Sequence, residues 1–351
     1  MKENTYYLGI DVGSVSTNVV AIDKNDSIKE KVYLKTNGQP IKAICEGLKY
    51  ISKQFNSKQF NSKEEFSGKS LENQNEKTLP DIKGVGVTGS GRQLASVIVG
   101  ADVVKNEITA HAVAAQKIVP DVKTILEIGG QDSKIIILKN GIVYDFAMNT
   151  VCAAGTGSFL DRQASRLGIS IDEFGGYALR SKSPVRIAGR CAVFAESDMI
   201  HKQQAGHSLE DIICGLCEGL VRNYLNNLAK GKDINQPIVF QGGVAANAGI
   251  VAAFEKTFEQ KVIIPKYYDV MGAYGAALIA KEKAQDEEAK TRFHGFEAAQ
   301  NNYNTRSIEC NGCSNMCEIV EIIVRETVIA SWGDRCGKWS SKKSLFEISG
   351  H

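Results

Sequence analysis

Two cysteines near the middle of the chain each stand just before a segment that favours a helix. Cys152 lies in NTVCAAGTGSFLDRQ and Cys191 lies in GRCAVFAESDMIHKQ. Thiolates are ligands for zinc and for iron–sulfur clusters. A helix that begins at such a cysteine would direct its first N–H groups toward an anionic group held there. The alternative for each cysteine taken alone is a buried, unligated thiol.

Three turns rich in glycine form a second set of residues with chemical potential. Backbone N–H groups unshielded by side chains, together with hydroxyls and carboxylates, are what phosphate groups and their Mg²⁺ need. A plain hairpin would explain one such turn, but three in order favour a nucleotide site. The residues are Asp11, Gly13, Ser14 and Thr17 in the first turn, Gly129, Gly130, Gln131 and Asp132 in the second, and Gly242, Gly243 and Asn247 in the third.

The elements that must position these turns form two similar hairpin units. The segment YYLGIDVGSVSTNVVAID, followed by IKEKVYLKT, predicts three strands, and TILEIGGQDSKIIILKNGIVYDFAMN predicts three more. Two units of the same kind predict two structurally related halves that face each other. In IVFQGGVAANAGIVAAFEK, the third glycine pair ends a buried strand and opens a helix.

We divide the chain into four parts. The first half spans 1–108 and includes a flexible insertion at about 52–80, in which QFNSK occurs twice. The second half spans 109–267 and carries Cys152 and Cys191. A helix that returns to the first half and a charged linker occupy 268–290, and a cysteine-rich extension occupies 291–351.

The composition is that of an ordinary globular protein. Of its 351 residues, 43% are hydrophobic and 23% are charged. Lys and Arg number 42 against 40 Asp and Glu, so the net charge of +2 does not favour nucleic acid or an anionic membrane. No apolar run reaches the roughly 18 residues of a membrane helix, and we expect a cytoplasmic protein. Nine cysteines in that compartment indicate metal, cluster or catalytic use rather than disulfides.

Several of these segments resemble one known superfamily. The chain resembles actin, Hsp70 and the acetate and sugar kinases, in which ATP lies in a cleft between two ribonuclease-H-like halves. More closely, it is similar to the activators of 2-hydroxyacyl-CoA dehydratases and of benzoyl-CoA reductase, the BadF/BadG/BcrA/BcrD type of ATPase. The expected fold is therefore α/β and duplicated. From Leu8 to about Ala280, the segments that carry the resemblance are GIDVGSVSTNVVAID, VTGSGR, NEITAHAVAA, IGGQDSKII, NTVCAAGTGSFLD, GRCAVFAESDMI and QGGVAANAG.

The resemblance implies cofactors and partners. It implies ATP or ADP with Mg²⁺, and a [4Fe–4S] cluster shared by a homodimer. Two thiolates fill half of the four ligand positions, and an isologous interface supplies Cys152 and Cys191 a second time. ATP hydrolysis would then drive a low-potential electron, received from a ferredoxin or flavodoxin, to a partner dehydratase or reductase.

Roles in the nucleotide site follow from the same resemblance. We expect Asp11 and Asp132 to hold Mg²⁺ through water molecules. We expect Ser14 and Thr17 to contact phosphate and Gln131 to orient the attacking water. Each acid or amide beside a glycine turn has a plainer alternative as a solvated or capping group.

Two further expectations concern the same cleft. Glu107, in NEITAHAVAA, is a candidate for the attacking water or the metal, and capping of the helix that it opens is its alternative. Gly242 and Gly243 would let adenosine approach the backbone, with Asn247 near the base or ribose.

Further cysteines raise the question of a second metal. An array with the spacing Cys-x2-Cys-x3-Cys-x18-Cys offers four soft ligands for zinc or a second cluster, with free thiols as the alternative. Such arrays also resemble those of longer members of the activator group. By contrast, Cys214 and Cys217 share one face of the helical segment EDIICGLCEGLVRNYL, which favours core packing. The array consists of Cys310, Cys313, Cys317 and Cys336.

Two other classes of protein compete with the electron activator. A small-molecule kinase of the acetate or sugar kinase fold would need an acidic base beside a substrate hydroxyl, for which Asp161 and Asp198 are the candidates. A redox or metal sensor would use ATP only as a structural ligand. An oxygen-sensitive brown colour would favour the activator, and phosphorylation of a metabolite would favour the kinase.

Overall fold

The computed structural model describes residues 4–64, 80–149, 152–286 and 290–340. The first part of the chain contains β1 (Thr5–Val12), β2 (Ser16–Asp23), β3 (Ile28–Lys35), α1 (Pro40–Glu64), β4 (Asp81–Thr88), α2 (Arg92–Val99), β5 (Val103–Val104) and α3 (Glu107–Ile118). There follow β6 (Thr124–Ile128), β7 (Ser133–Lys139), β8 (Ile142–Asn149), α4 (Gly157–Leu167), α5 (Ile171–Leu179), α6 (Ala192–Gln204), α7 (Leu209–Tyr224), β9 (Ile238–Gln241) and α8 (Ala248–Phe258). The last elements are α9 (Met271–Asp286), β10 (Tyr303–Glu309), β11 (Glu318–Val324) and β12 (Thr327–Trp332).

Two sheets repeat one arrangement of strands. In each, an antiparallel meander is extended by a later strand that runs parallel to the first strand of the meander. The orders are β3-β2-β1-β4-β5 and β8-β7-β6-β9, with β4 parallel to β1 and β9 parallel to β6. The two predicted hairpin units are therefore confirmed. The first and second glycine turns occupy the same position in each, between the first two strands.

Helices α3 and α9 share an apolar cluster with residues of both sheets. Helix α9 packs on the first sheet so closely that backbone meets backbone. A Cβ atom at Gly9 would collide with the carbonyl oxygen of Ala273, and one at Gly86 would collide with that of Ala276. Only glycine fits at these strand positions, because the helix leaves no space for a side chain.

The predicted insertion begins too early. Helix α1 continues to Glu64 rather than giving way to a flexible segment at residue 52. Phe55, in the first QFNSK, is buried, and its ring centroid lies 4.5 Å from that of Tyr6. The sequence repeat concealed this contact because its polar residues dominate the local pattern. Residues 65–79 of the predicted insertion lie outside the described residues.

The extension forms a three-stranded antiparallel sheet, β10-β11-β12, that packs on the first half. Ile322, Val324 and Ile329 form its small core and contact Leu94 and Val97 of α2. The segment before it is also fixed, since the backbone N–H of residue 292 donates to a carboxylate oxygen of residue 102. Among the described residues, no helix combines the length and apolar character needed to cross a membrane.

Candidate functional site

The first two glycine turns face each other across a cleft. In the first turn, the N–H of Gly13 donates to the carbonyl of Ser16 at 2.8 Å. A Cβ at Gly130, in the second turn, would collide with the side chain of Val15 in the first. Ser14 and Gln131 line the cleft, which has a volume of about 260 Å³ at this end. The two predicted phosphate turns are thus adjacent, although far apart in sequence.

Thr17 has a different place from the one expected. Its side chain is fully buried, and its Oγ1 lies 2.9 Å from the Oγ1 of Thr36. Thr36 in turn donates to the carbonyl of Gly13 at 2.9 Å. Because neighbouring strand residues point to opposite faces, Ser16 and Asn18 line the cleft whereas Thr17 does not. The expectation that Thr17 contacts phosphate is therefore wrong, and its hydroxyl supports the first turn from behind.

Lys134 lies at the centre of a cluster of acids beside the second turn. Its side chain is 3% exposed, and its Nζ lies 2.9 Å from Glu107, 3.0 Å from Glu127 and 2.8 Å from Asp132. These acids come from α3, β6 and the second turn. Burial of an ammonium group is costly unless it is paired, and here the nearby carboxylates raise the pKa of Lys134 although burial opposes them. Lys134 therefore holds three elements together at the cleft.

Burial shifts the titration of other groups in this cluster. Burial and the nearby Glu107 carboxylate raise the pKa of Asp11 to about 7. Burial also raises the pKa of Glu127 to about 8, against the attraction of Lys134. Burial lowers the pKa of His111 to about 3, so this ring is neutral, and its Nδ1 lies 2.8 Å from Nε2 of Gln241. The cleft thus favours a cation that would neutralise its carboxyl groups.

Glu107 does not have the capping role that was its alternative. The side chain of Asn106 caps α3 by accepting a hydrogen bond from the N–H of Thr109 at 2.8 Å. The Glu107 carboxylate instead pairs with Lys134 and lines the cleft. The structure therefore brings Glu107 to the site for which it was a candidate.

A larger pocket of about 600 Å³ continues the cleft between the halves. Gly243 and Asn247 line it, together with Tyr33 of the first half and Tyr268 before α9. Gly242 adopts a φ of +89°, a conformation that favours glycine, and lines the smaller end. Asn247 caps α8 through its Oδ1, while its buried Nδ2 has no protein partner. This pocket has the size and the mixed apolar and polar lining that suit a nucleoside.

The structure brings Cys152 and Cys191 to adjacent loops. The Sγ of Cys152 lies 4.0 Å from the carbonyl oxygen of Arg190, the residue before Cys191. Asn223 of α7 joins the two loops, because its Nδ2 donates to the carbonyl of Gly189 at 2.6 Å and lies 3.8 Å from the Cys152 sulfur. Both cysteines are half-buried. We call them the cysteine pair.

The helices at the cysteine pair differ from one another. Cys191 caps α6 directly, as predicted. Cys152 instead precedes a single 3-10 turn, and α4 begins five positions later at Gly157. The N–H groups of Gly157 and Ser158 donate to the carbonyls of Gly129 and Gly130, both at 2.9 Å. The expectation that α4 directs its first N–H groups toward a cluster is therefore wrong, because the second glycine turn accepts them.

The surface beside Cys191 is apolar. Val193 and Phe194, in the first turn of α6, are 67% and 65% exposed. Adjacent large apolar side chains with this much exposure are compatible with contact to another molecule. By contrast, Cys217 is fully buried in the core of the second half, where burial raises the pKa of its thiol. Core packing, the favoured interpretation of Cys217, is confirmed.

The residues present fit Mg²⁺ and half of a cluster. In the described ranges, no three His, Cys, Asp or Glu side chains are grouped closely enough to hold a metal ion. Mg²⁺ needs fewer protein ligands, since it keeps several waters and takes phosphate oxygens. The Asp11 carboxylate meets these requirements, because it lies in the cleft against Gly272, where a Cβ would displace it. The cysteine pair offers two thiols, which is half of the four thiolates that an iron–sulfur cluster requires.

The cysteine array lies in the extension, apart from the cysteine pair in sequence. Cys310, Cys313 and Cys317 occupy the loop between β10 and β11, and Cys336 follows β12. The Gly312 N–H and the Trp339 indole lower the pKa of Cys310. The sequence match described below ends before this extension.

Fold and site together define a nucleotide-binding protein of two related halves, with a cysteine pair next to one phosphate turn. The chain belongs to the BadF/BadG/BcrA/BcrD ATPase family, whose sequence profile matches residues 8–280. The predicted family and the predicted class, an ATPase, are confirmed.

Characterised relatives carry names that describe one function. The (R)-2-hydroxyglutaryl-CoA dehydratase activating ATPase of Acidaminococcus fermentans is 34% identical over 283 residues, which cover 80% of this chain and 98% of that one. The 2-hydroxyisocaproyl-CoA dehydratase activator of Clostridioides difficile is 37% identical over 213 residues, covering 60% of this chain and 79% of that one. The structure of the activator of the 2-hydroxyisocaproyl-CoA dehydratase from Clostridium difficile, with bound ADPNP, has a TM-score of 0.65 at 30% identity, covering 80% of this chain and 96% of that one. The expected duplicated α/β fold is therefore confirmed.

Sequence reasoning did not identify three residues that organise the site. Lys134 follows the second turn within IGGQDSK, but its partners on α3 and β6 are separated from it in sequence. Glu127 looks like an ordinary residue of a buried strand. Asn223 lies inside a helix without any local motif. A signal was available for Glu127 and Lys134, because each is a charged residue in a strand that is otherwise almost wholly apolar.

Proposed function

We propose that this protein hydrolyses ATP to drive single-electron transfer at low potential to a 2-hydroxyacyl-CoA dehydratase or a related reductase. The observation that carries the proposal is the direct hydrogen bonding of α4 to the second glycine turn, with Cys152 five positions before the start of α4. The carbonyls of Gly129 and Gly130 accept the N–H groups of Gly157 and Ser158. A change at a bound phosphate thereby acts on the segment that holds a cysteine ligand.

The cleft supplies what hydrolysis of ATP requires. Adenosine occupies the larger pocket, which Asn247 lines. Asp11 and Asp132 hold Mg²⁺ through waters, and Ser14 contacts phosphate at the smaller end. Gln131 orients the attacking water. Lys134 holds the carboxylates of Glu107 and Asp132 in place in the same cleft. The bound ADPNP in the activator from Clostridium difficile supports nucleotide binding by this chain.

The cysteine pair holds a [4Fe–4S] cluster together with the same pair of a second chain. When bound, the cluster supplies a one-electron carrier of low potential. The half-buried thiols, the adjacent loops and the exposed Val193 and Phe194 support an isologous contact at this surface. Donation from Asn223 to the carbonyl of Gly189 keeps the loop of Cys191 beside Cys152.

A second connection joins the cysteine pair to the cleft. Tyr224 follows Asn223 on α7, and its hydroxyl donates to the carbonyl of Lys134 at 2.6 Å. Neighbouring residues of one helix therefore contact the cysteine loops and the acid cluster. Nucleotide state and cysteine geometry are coupled through α4 and α7, which pack in one core.

The proposal includes partners and a location. A ferredoxin or a flavodoxin supplies the electron, and the acceptor is an enzyme that acts on an acyl-CoA. The names of the relatives support the dehydratase as acceptor. We place the protein in the cytoplasm, where thiol ligands are kept reduced.

The kinase has weaker support. Asp198 is engaged, because its Oδ2 accepts the N–H of Ala188 at 2.8 Å. Asp161 lines the larger pocket, where burial raises its pKa. The candidate phosphate-binding residues, among them Ser14 and Gln131, line the smaller end.

Anaerobic purification followed by iron and sulfide analysis tests the proposal. We expect about two iron atoms per chain to be lost in Cys152→Ala, since half of a shared [4Fe–4S] cluster belongs to each chain. The matched control is Cys45→Ala, which removes a buried thiol of α1 and leaves the cysteine pair intact. ATP-dependent transfer of electrons to a 2-hydroxyacyl-CoA dehydratase is then measured for all three proteins.

Three outcomes distinguish the parts of this proposal. Loss of iron and of electron transfer in Cys152→Ala alone, with ATP binding retained, supports it. Equal iron content in wild type and Cys152→Ala contradicts the cluster assignment. Phosphorylation of a small metabolite without any electron transfer would favour the kinase instead.

A further inference from the structure

The cysteine array gathers at one end of the small C-terminal sheet. The backbone N–H of Cys310 donates to the carbonyl of Cys317 at 2.8 Å, which extends the β10–β11 ladder by one pair beyond Glu309 and Glu318. Cys313 lies in the loop that this pair closes. Three of the four cysteines are therefore confined to a loop of eight residues whose ends are hydrogen-bonded to each other.

The fourth cysteine returns to the same end. Strand β12 runs antiparallel to β11, so its last residues lie beside the start of β11, and Cys336 follows only four positions later. At Gly333, where φ is +109°, the chain passes so close to the carbonyl of Glu318 that a Cβ would collide with it. The segment after β12 is thus folded back over the cysteine loop.

Donors of hydrogen bonds are directed at one of the sulfurs. The indole Nε1 of Trp339 donates to the Sγ of Cys310 at 3.3 Å. The N–H of Gly312, two residues after Cys310, also contacts this sulfur. Trp339 is itself held by Asp334, whose Oδ2 accepts its backbone N–H at 2.7 Å. N–H groups aimed at a sulfur stabilise thiolate character, as they do in the outer shell of metal–thiolate centres.

The sheet has a reason to need such a centre. Its core consists of the buried residues Ile322, Val324 and Ile329, and these pack against α2 rather than near the cysteines. Strand β10 is exposed along most of its length. Small units with so little apolar burial usually depend on a metal or a covalent link for order. The cysteine end of the sheet has neither an apolar core nor a disulfide.

We infer that Cys310, Cys313, Cys317 and Cys336 together hold a second metal centre through four thiolates, distinct from the cysteine pair. The occupant is zinc or an iron–sulfur cluster, because four thiolates are the donor set of both. In the described chain these sulfurs do not yet form a closed group of three or more. Cys313 and Cys336 are exposed, and we expect their side chains and loops to move toward the other two sulfurs when metal binds.

The test uses the full chain with both cysteines of the cysteine pair replaced by alanine. In Cys152→Ala/Cys191→Ala protein purified anaerobically, zinc, iron and sulfide are measured per chain. We expect about one zinc, or about four iron with matching sulfide, and expect that metal to be lost when Cys310→Ser and Cys336→Ser are added. The control adds Cys214→Ser, which lies outside the array, to the same background.

The metal and sulfide contents distinguish the possible results. Zinc without sulfide identifies a zinc centre, and iron with sulfide identifies a second cluster; either result supports four-thiolate binding. Metal content that is equal with and without the two serine substitutions overturns it. Because the pair of alanine substitutions removes the proposed electron-transfer cluster, this result does not depend on the proposed function.

A second measurement covers the case in which the serine variants do not fold. The background protein, with its array intact, is titrated with a thiol reagent before and after addition of a chelator. We expect about four thiols to become reactive only after chelation. If the array thiols react fully before chelator is added, no metal protects them and the inference is wrong.

Discussion

Replacement of Lys134 by methionine tests how far the acid cluster determines the stability of the cleft. Methionine keeps the apolar stem of the side chain and removes the ammonium group, which lies within 3.0 Å of Glu107, Glu127 and Asp132. Removing one partner of a buried charge cluster leaves the others unpaired, which costs about 3–5 kcal/mol. We therefore expect Lys134→Met to lower the free energy of unfolding by about that amount at pH 8.

The size of the loss should depend on pH in a defined direction. Burial raises the pKa of Glu127 to about 8 against the attraction of Lys134, so without the ammonium group that pKa rises further and the native variant binds a proton that its unfolded chain releases. Stability then falls as pH increases, at up to about 1.4 kcal/mol per pH unit for each proton. The deficit of Lys134→Met relative to wild type is expected to be smaller at pH 5 than at pH 8. Addition of Mg²⁺ should reduce it, since a cation restores the lost charge.

The assay is unfolding in urea without nucleotide, and a matched variant controls for loss of a lysine. Lys256 pairs with Glu218 at 2.7 Å but is 70% exposed, so Lys256→Met should cost less than about 1 kcal/mol. If Lys134→Met costs no more than Lys256→Met, the cluster does not hold α3, β6 and the second turn together. An equal deficit at pH 5 and pH 8 would contradict the assignment of unpaired carboxylates.

Three further substitutions address separate parts of the site. Burial raises the pKa of Asp11 to about 7, well above its value in the unfolded chain. The nucleotide-free wild type should therefore lose stability as pH rises from about 4 to about 7. In urea titrations, Asp11→Asn should make that loss smaller. Asn223→Ala leaves the Gly189 carbonyl unpaired and should cost about 1–3 kcal/mol, with iron content reduced and ATP affinity unchanged; unchanged iron would show that the cysteine loops need no such clamp. Thr17→Val should cost about 1 kcal/mol in unfolding while leaving the KM for ATP unchanged, and a large rise in KM would restore Thr17 to the phosphate site.

The sequence was informative where structure is local. Alternating apolar residues and glycine turns predicted both meanders, and Cys191 was correctly placed at the start of a helix. Thr17 was misassigned because the alternation of the strand was not applied within the turn motif. Lys134 and Asn223 were missed because their roles arise from contacts between distant segments, which no local pattern records. The extent of α1 was missed because polar side chains hid the burial of Phe55.

The seam between α9 and the first sheet determines where the molecule can bend. At Gly9 and Gly86 the helix touches strand backbone, so no layer of side chains is present that would let the two slide past each other. The helix must therefore follow the first sheet in any rotation of one half against the other. Such a rotation would then fall on the two connections that join this assembly to the second sheet, α3 to β6 (residues 119–123) and α8 to α9 (residues 259–270). Engineering of opening and closing rates should accordingly target these connections and leave the glycines of the seam untouched.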